Sequence, residues 1–130
     1  MTTAKAISFF TFLMLTLTAC GQDKGSRTIL GKGYAEKELK SALNDKTQHN
    51  VINNRTIIIK DSLTAIRVAE PILFSIYSKD NIIRQQPYET YFIDSYWLIR
   101  GTLPKGSHGG TFLIIMDAKD CRILRITHGK

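Results

Sequence analysis

Four residues of the 130-residue chain have side chains that could perform acid–base chemistry on a strand-rich scaffold: Glu70, Asp94, Tyr96 and His108. A general acid or base must hold a titratable group in a pocket that tunes its pKa. His108 lies in a glycine-rich stretch and Asp94 at the end of a predicted strand, where solvated positions are the ordinary case. We therefore predict no catalytic residue and no enzymatic activity.

The three histidines are the side chains best suited to bind a metal ion. His49, His108 and His128 are far apart in the sequence, without the short ligand spacing of a local zinc site. His128 is better explained as a residue at the end of a strand. The sequence therefore predicts no metal site and no cofactor.

The N-terminal region contains a cysteine whose thiol could carry a lipid. After Lys5, residues 6–17 form an uncharged and mostly apolar run, in the order typical of a secretory signal peptide. This run is shorter than the roughly 20 apolar residues that a membrane-spanning helix needs. It leads into a tetrapeptide that resembles a bacterial lipobox, Leu17-Thr18-Ala19-Cys20. The sequence predicts a signal peptide over residues 1–19 and lipidation of Cys20.

Lipidation of Cys20 would fix where the protein works. Two or more acyl chains hold a protein stably at a membrane, so we expect a lipid-anchored protein of the cell envelope. Gly21 after the cysteine, in place of aspartate, favours the outer membrane. The polar, glycine-containing residues that follow predict a flexible tether over residues 20–33, with a typical reach of roughly 20 Å.

The charge of the chain narrows the class of partner. The sequence has 18 Lys and Arg against 11 Asp and Glu, a formal net charge of +7, and removal of Lys5 with the signal peptide lowers it by one. A basic surface can attract nucleic acid, anionic lipid or an acidic protein. The chain has no run of consecutive Lys or Arg and no nucleic-acid-binding motif. We predict an acidic protein partner together with the membrane, and no nucleic acid.

The pattern after residue 33 predicts one domain over residues 34–130. A short helix is expected at residues 34–43 and a principal helix from Ser62 to about Ser78, with Asp61 as its N-cap. Pro71 lies inside the principal helix and should kink it without ending it. The apolar face at helical spacing comprises Leu63, Ile66, Ala69, Leu73 and Ile76. Residues 56–59 predict a strand or the lead-in to one.

Four strands of an antiparallel sheet are expected at residues 89–93, 96–103, 111–116 and 122–127. Asp94-Ser95 and Ala118–Cys121 are the predicted turns. The last turn position suits glycine, which takes positive φ without a steric penalty, so Cys121 implies a strained left-handed residue, a different turn type or a shifted register. With Cys20 lipidated, Cys121 has no disulfide partner, and we expect a buried, inert thiol.

Residues 96–103 would give their strand two substantially apolar faces. One face carries Trp97, Ile99 and Leu103, and the other carries Tyr96, Leu98, Arg100 and Thr102. One helix covers one face, so either the N-terminal segment covers the second face or that face binds a partner, because exposed Tyr, Trp and Arg anchor protein interfaces. The predicted partner-binding residues are Tyr96 and Arg100, with Lys105, Ser107 and His108 from the adjacent loop.

Several segments resemble, in order and spacing, the NTF2-fold immunity proteins. These are Ala69-Glu70-Pro71-Ile72, Gln86-Pro87-Tyr88, residues 94–104, Gly109-Gly110 with Phe112, and His128-Gly129-Lys130. The resemblance covers roughly residues 57–130 and departs from the pattern at Cys121. It implies an α+β, cystatin-like fold with a principal helix packed on a curved antiparallel sheet. It also implies a protein that binds and blocks a cognate bacterial toxin without a cofactor.

The basic charge bears on the kind of toxin. Nuclease toxins grip phosphates and tend to be basic, so their inhibitors tend to be acidic. A basic inhibitor at the envelope predicts a toxin with an acidic face that acts on the cell wall or membrane. An alternative is a lipoprotein that binds a small ligand or serves envelope assembly, which predicts an apolar pocket between helix and sheet. A PepSY-like inhibitory module would need two strand–turn–strand units, and the sequence shows one.

Overall fold

The computed structural model describes residues 27–129. The predicted signal peptide, the lipidation site Cys20 and the first half of the predicted tether therefore lie outside the described residues. The chain divides after Lys46 into two compact units. Within the described range, no helix combines the length and the apolar character needed to cross a bilayer.

The first unit contains helix α1 (Gly31–Asn44), which includes the short helix predicted from the sequence. It begins three residues earlier than expected, so the last residues of the predicted tether are helical. Lys32 and Glu36 form an ion pair one turn apart, with an N–O distance of 3.5 Å. No residue of α1 is buried, so the helix gains no stability from burying its own apolar side chains.

The second unit begins its regular structure with the principal helix α2 (Ser62–Tyr77), close to the predicted bounds. The Asp61 carboxylate caps it as expected and accepts hydrogen bonds from the Thr64 amide at 2.8 Å and the Thr64 hydroxyl at 2.9 Å. The Thr64 amide is the main cause that lowers the pKa of Asp61 below its usual value. Pro71 lies inside the helix. A short helix, α3 (Lys79–Ile83), follows directly.

The buried face of α2 agrees with the predicted face in part. Ala69 and Leu73 are buried as predicted and Ile66 packs half-buried against the core, whereas Leu63 and Ile76 are 54% and 52% exposed. Ala65, which was not predicted, is also buried. It shares a face with Ala69 and Leu73, because side chains four positions apart lie on the same side of a helix.

Four antiparallel strands form one sheet in the order β1 (Glu89–Ile93), β2 (Tyr96–Arg100), β3 (Phe112–Asp117) and β4 (Ile123–His128). Each strand pairs with its neighbour in sequence, and α2 packs against one face. The predicted α+β fold, with a principal helix on an antiparallel sheet, is confirmed.

Two details of the predicted strands are wrong. Strand β2 ends at Arg100, so Leu103, which was expected to face the core, is 37% exposed in the following loop. Residues 56–59 do not form a strand. They do not lead into a strand either, because the next element is α2. The Ile58 and Ile59 amides both donate to the Ala118 carbonyl, at 2.9 and 3.0 Å.

The two hairpin turns use left-handed residues. Asp94 (φ 48°) and Ser95 (φ 69°) form the predicted two-residue turn, with the positive φ at both positions that a type I′ turn requires. In the second turn Cys121 has φ 62°. The register also shifts, since Met116 pairs with Ile123 and Ile115 with Arg125, which leaves one extra residue in β4. Two of the three consequences expected of Cys121 are therefore present together.

The Cys121 thiol is half-buried at the margin of the core, not fully buried as predicted. The adjacent Asp117 carboxylate is buried and stabilises the turn. It accepts a hydrogen bond from the Lys119 amide at 2.9 Å and lies 3.9 Å from the Arg122 guanidinium. These polar contacts hold the turn in place of the glycine that its geometry favours.

The core between α2 and the inner face of the sheet is filled. Six large side chains are fully buried: Phe112, Leu73, Ile82, Ile99, Ile114 and Met116. Trp97 is buried among them as one interpretation of the sequence expected, and its indole Nε1 donates to the Ile59 carbonyl at 2.9 Å. The loop before α2 is thereby joined to β2.

A buried glutamine joins three elements at one end of the sheet. Gln85 Oε1 accepts from the Phe112 amide at 2.9 Å, while Nε2 donates to the Asn81 carbonyl at 3.2 Å and lies 3.2 Å from His128 Nε2. Since the amide group is the donor in the last contact, His128 accepts through Nε2 and carries its proton on Nδ1, 2.8 Å from the Gly129 carbonyl. This network connects α3 to the start of β3 and the end of β4.

Candidate functional site

Side chains along each strand point alternately to the core face, which packs against α2, and to the opposite face, called here the outer face. Strand register places four of its residues in one row across the sheet, Tyr91, Leu98, Ile115 and Arg125. The remaining members are Glu89, Ile93, Tyr96, Arg100, Leu113, Asp117 and Thr127. Six of these eleven side chains are large and apolar or aromatic.

The outer face remains accessible. Tyr91 and Ile93 are 53% and 51% exposed, and Tyr96 and Leu98 in the adjacent strand are half-buried. Arg100 and Arg125 are exposed, and neither side chain forms an ion pair with any residue between 27 and 129. Aromatic residues and arginines around an apolar centre are the composition of protein-binding surfaces.

A cleft of about 670 Å³ opens at the end of β2. Arg100 lines it, and its Nε donates to the Thr111 hydroxyl at 3.3 Å, which fixes the plane of the guanidinium. Glu89, directly opposite Arg100 in the strand register, lies on the other side. The remaining wall comprises Gly101, Thr102, Leu103, Gly109, Gly110, Leu113 and Gly129.

The loop between β2 and β3 is held at its base and exposed at its tip. The Thr102 amide donates to the Gln85 carbonyl and its hydroxyl to the Pro87 carbonyl, both at 2.8 Å. The predicted partner-binding residues of the tip, Lys105, Ser107 and His108, are all exposed. The loop is therefore positioned beside Arg100 while its polar side chains stay free to adapt.

The structure brings the predicted partner-binding residues together only in part. Arg100 adjoins the loop, whereas Tyr96 lies at the other end of β2, about 13 Å along the strand at its usual rise per residue. Both side chains belong to the outer face, as the alternation predicted. Tyr91, Ile93 and Arg125 were not predicted as partner-binding residues, although the alternation of side chains in β1 and β4 places them on the same face. Partner binding by the five predicted residues stays a prediction.

The four residues considered for acid–base catalysis are distributed over different parts of the second unit. Glu70 lies on α2, Asp94 is exposed in the β1–β2 turn and His108 is exposed in the loop. Across residues 27–129, no group of three or more His, Cys, Asp or Glu side chains is arranged to hold a metal ion.

A second groove, called here the α2 groove, has a volume of about 740 Å³ and lies between α2 and the segment after α3. Its lining comprises Leu63, Ile66, Arg67, Glu70, Gln86, Pro87 and Tyr88. The Tyr88 hydroxyl donates to Glu70 Oε1 at 3.1 Å. Burial raises the pKa of Tyr88 to about 12, and the neighbouring Glu70 adds to the increase. No local sequence pattern links these two residues, which are 18 positions apart.

The positions of the two clefts can be compared with the alternative function, that of a lipoprotein that binds a small ligand. That alternative predicts an apolar pocket between helix and sheet. Neither cleft is lined by a residue of the buried core, and Phe112, Ile114 and Met116 fill the space in question with no exposed surface. The filled interior therefore does not provide the apolar pocket that the small-ligand alternative predicts.

These features define a small α+β domain with an accessible sheet face. The sequence profile of the NTF2 fold immunity proteins matches residues 64–130, which is half of the chain. The chain belongs to this family, as the resemblance of its motifs predicted. The family is described as one of immunity proteins with the NTF2 fold.

The chain is also similar to a curated protein whose function is not described. The chain is 31% identical over 74 residues to the protein YhhH of Escherichia coli (strain K12), which is described as uncharacterized. The matched region covers 56% of this chain and 58% of YhhH, so the chain spans less than two thirds of that relative's length. No solved structure matches the chain.

Proposed function

We propose that this protein is an immunity lipoprotein that binds and blocks a cognate toxin at the cell envelope, through the outer face of its sheet. The observation that carries the proposal is the accessible outer face in a member of the immunity family. Tyr91 and Ile93 are half-exposed there, and Arg100 and Arg125 are exposed on the same face without an ion-pair partner among residues 27–129.

The charges of the outer face specify the partner. Glu89 is the exposed carboxylate of this face, since Asp117 is buried and lies beside Arg122. Arg100 and Arg125 outnumber it, and the loop adds Lys105 after Arg100. Guanidinium groups bind carboxylates in a bidentate geometry, and complementary charge speeds association and favours the correct partner. The toxin's contact surface is therefore acidic, with apolar residues at its centre to cover Tyr91 and Leu98.

The membrane anchor is the second part of the proposal. Cys20 follows an apolar segment with the features of a signal peptide, and the residue after it favours the outer membrane. An anchored inhibitor would meet the toxin in the periplasm, before the toxin reaches a cell-wall or membrane target. Nuclease toxins of the cytosol tend to be basic, so their inhibitors tend to be acidic. The basic charge of this chain therefore agrees better with a toxin that acts in the envelope.

Replacing the lipidation site tests the anchor. Cys20→Ser is expected to abolish incorporation of labelled palmitate and to move the protein out of the detergent-soluble outer-membrane fraction, because serine cannot form the thioether. Cys121→Ser, which removes the other thiol of the chain, is the matched control and should leave both unchanged. Equal palmitate labelling of Cys20→Ser and the wild type would refute lipidation at this position.

Charge reversal at Arg100 tests the binding surface. Cells that produce a secreted toxin encoded beside the gene should be protected by the full chain, and the two purified proteins should bind each other. Arg100→Glu is expected to weaken this binding by about 2–3 kcal/mol, or roughly 100-fold, because it places like charges against the toxin. The measurement is calorimetric titration of toxin into detergent-solubilised inhibitor.

Arg84→Glu is the control, because Arg84 is exposed at the end of α3 and its replacement changes the net charge equally. If both variants bind with the same reduced affinity, net charge alone is responsible and the outer face is not the contact surface. A toxin that binds both variants as tightly as the wild type contradicts the proposed surface, while protection without any binding contradicts the proposed function itself.

A further inference from the structure

The α2 groove has no part in the proposed toxin contact. α2 packs against the core face of the sheet, so the groove and the outer face lie on different sides of the second unit. Its walls are mainly apolar and comprise Leu63, Ile66 and Pro87, with one carboxylate, Glu70, among them. This combination is the feature that the toxin-binding surface does not explain.

The Glu70 carboxylate is held in a fixed orientation. Its Oε1 accepts from the Tyr88 hydroxyl at 3.1 Å and from Gln86 Nε2 at 3.4 Å. Its second oxygen, Oε2, accepts no hydrogen bond from residues 27–129, and the carboxylate forms no ion pair within that range. One oxygen is thus used for orientation, and the other presents an uncompensated negative charge to the groove.

Arg67 also lines the groove, one turn before Glu70, but its guanidinium forms no ion pair with the Glu70 carboxylate. The Tyr88 ring is also fixed, since it packs edge-on against Phe112 with 5.1 Å between ring centroids. Because Tyr88 stays protonated at neutral pH, its hydroxyl keeps a proton to donate, with Glu70 Oε1 at 3.1 Å as the nearer acceptor and the Ile82 carbonyl at 3.3 Å as the other.

We propose that the α2 groove binds a basic side chain, lysine or arginine, of a protein partner. The aliphatic stem lies against Leu63, Ile66 and Pro87, and the cationic end donates a charge-assisted hydrogen bond to Glu70 Oε2. Lysine and arginine side chains bury their stems along apolar surfaces while the charged end keeps polar contacts. The proposal does not depend on the toxin-binding function, because it concerns a different surface.

The test uses two small probes that differ in one group. Nα-acetyl-lysine-N-methylamide carries the stem and the ammonium, and Nα-acetyl-norleucine-N-methylamide carries the stem alone. Each is titrated to millimolar concentration into the ¹⁵N-labelled full chain in detergent, with amide shifts recorded by NMR. We expect saturable shifts from the lysine probe confined to residues around Glu70, Gln86 and Tyr88, and at least tenfold weaker binding of the norleucine probe, as expected for loss of a charge-assisted hydrogen bond.

Two variants complete the test. Glu70→Gln keeps an acceptor for Tyr88 but removes the charge, and should weaken binding of the lysine probe by about tenfold while the fold is retained. Glu89→Gln removes the carboxylate of the other cleft and should leave binding unchanged. The proposal is overturned if the two probes bind alike, if the lysine probe gives no saturable shift, or if Glu70→Gln binds as the wild type does.

Discussion

Replacement of Gln85 by methionine is expected to lower the free energy of unfolding by about 3 kcal/mol. Methionine has a similar length and fills the same space, but it cannot replace three hydrogen bonds. The buried Phe112 amide would lose its acceptor, and the Asn81 carbonyl and His128 Nε2 would lose their donor. A buried polar group left without a partner costs about 1–3 kcal/mol, and the Phe112 amide is the most deeply buried of the three.

Urea denaturation followed by the fluorescence of Trp97, the single tryptophan of the chain, measures the effect. In a domain of this size such a loss lowers the melting temperature by roughly 12–24 °C. Gln86→Met is the control, because the adjacent glutamine is exposed and should change stability by less than about 0.5 kcal/mol. If both variants unfold at the wild-type urea midpoint, the Gln85 network contributes nothing to stability.

A second large loss of stability is expected for Gly110→Ala. A Cβ atom at this position would lie 1.9 Å from the carbonyl carbon and oxygen of Gly129, and these obstacles are backbone atoms that cannot rotate away. The chain must therefore separate at the contact where the Gly129 amide donates to the Thr111 carbonyl at 3.0 Å. We expect a cost of about 3 kcal/mol or more, at the upper end of the range for overpacking.

Gly33→Ala is the matched control for Gly110→Ala. Gly33 lies inside α1, and a Cβ there meets nothing within 4 Å. Alanine at this position should strengthen α1 by up to about 1 kcal/mol, measured as helical ellipticity on heating. An unchanged urea midpoint for Gly110→Ala, monitored by Trp97, would show that β4 can move away from the loop without cost.

The sequence was sufficient to predict α1, α2, the four strands and the fold class, but not α3 or the details that depend on packing. Alternation and turn residues placed the β1–β2 hairpin correctly, since Asp94 and Ser95 suit positive φ. The face of α2 was predicted correctly at Ala69 and Leu73 but wrongly at Leu63 and Ile76, which are exposed. Ala65 was missed, because hydrophobicity gives an alanine less weight than the larger Leu63 and Ile76.

The candidate site was also predictable only in part. Alternation along β2 placed Tyr96 and Arg100 on one face, and the structure has them there. The separation of Tyr96 from the loop follows from where β2 ends, and that end is set by the hydrogen bonds of Thr102 to Gln85 and Pro87. These partners are more than ten positions away in sequence. The pairing of Glu70 with Tyr88 is equally long-range, so neither feature leaves a local signal.

The two edges of the sheet differ in a way that affects self-association. Strand β4 has Arg125 and an extra residue next to Ile123, and charges and bulges are the usual obstacles to further strand pairing. Strand β1 has a regular register and four consecutive uncharged residues, from Thr90 to Ile93. Strand addition between copies would therefore begin at β1. Once two β1 strands had paired, both remaining edges would be β4, so the growth of a continuous intermolecular sheet would stop at two copies.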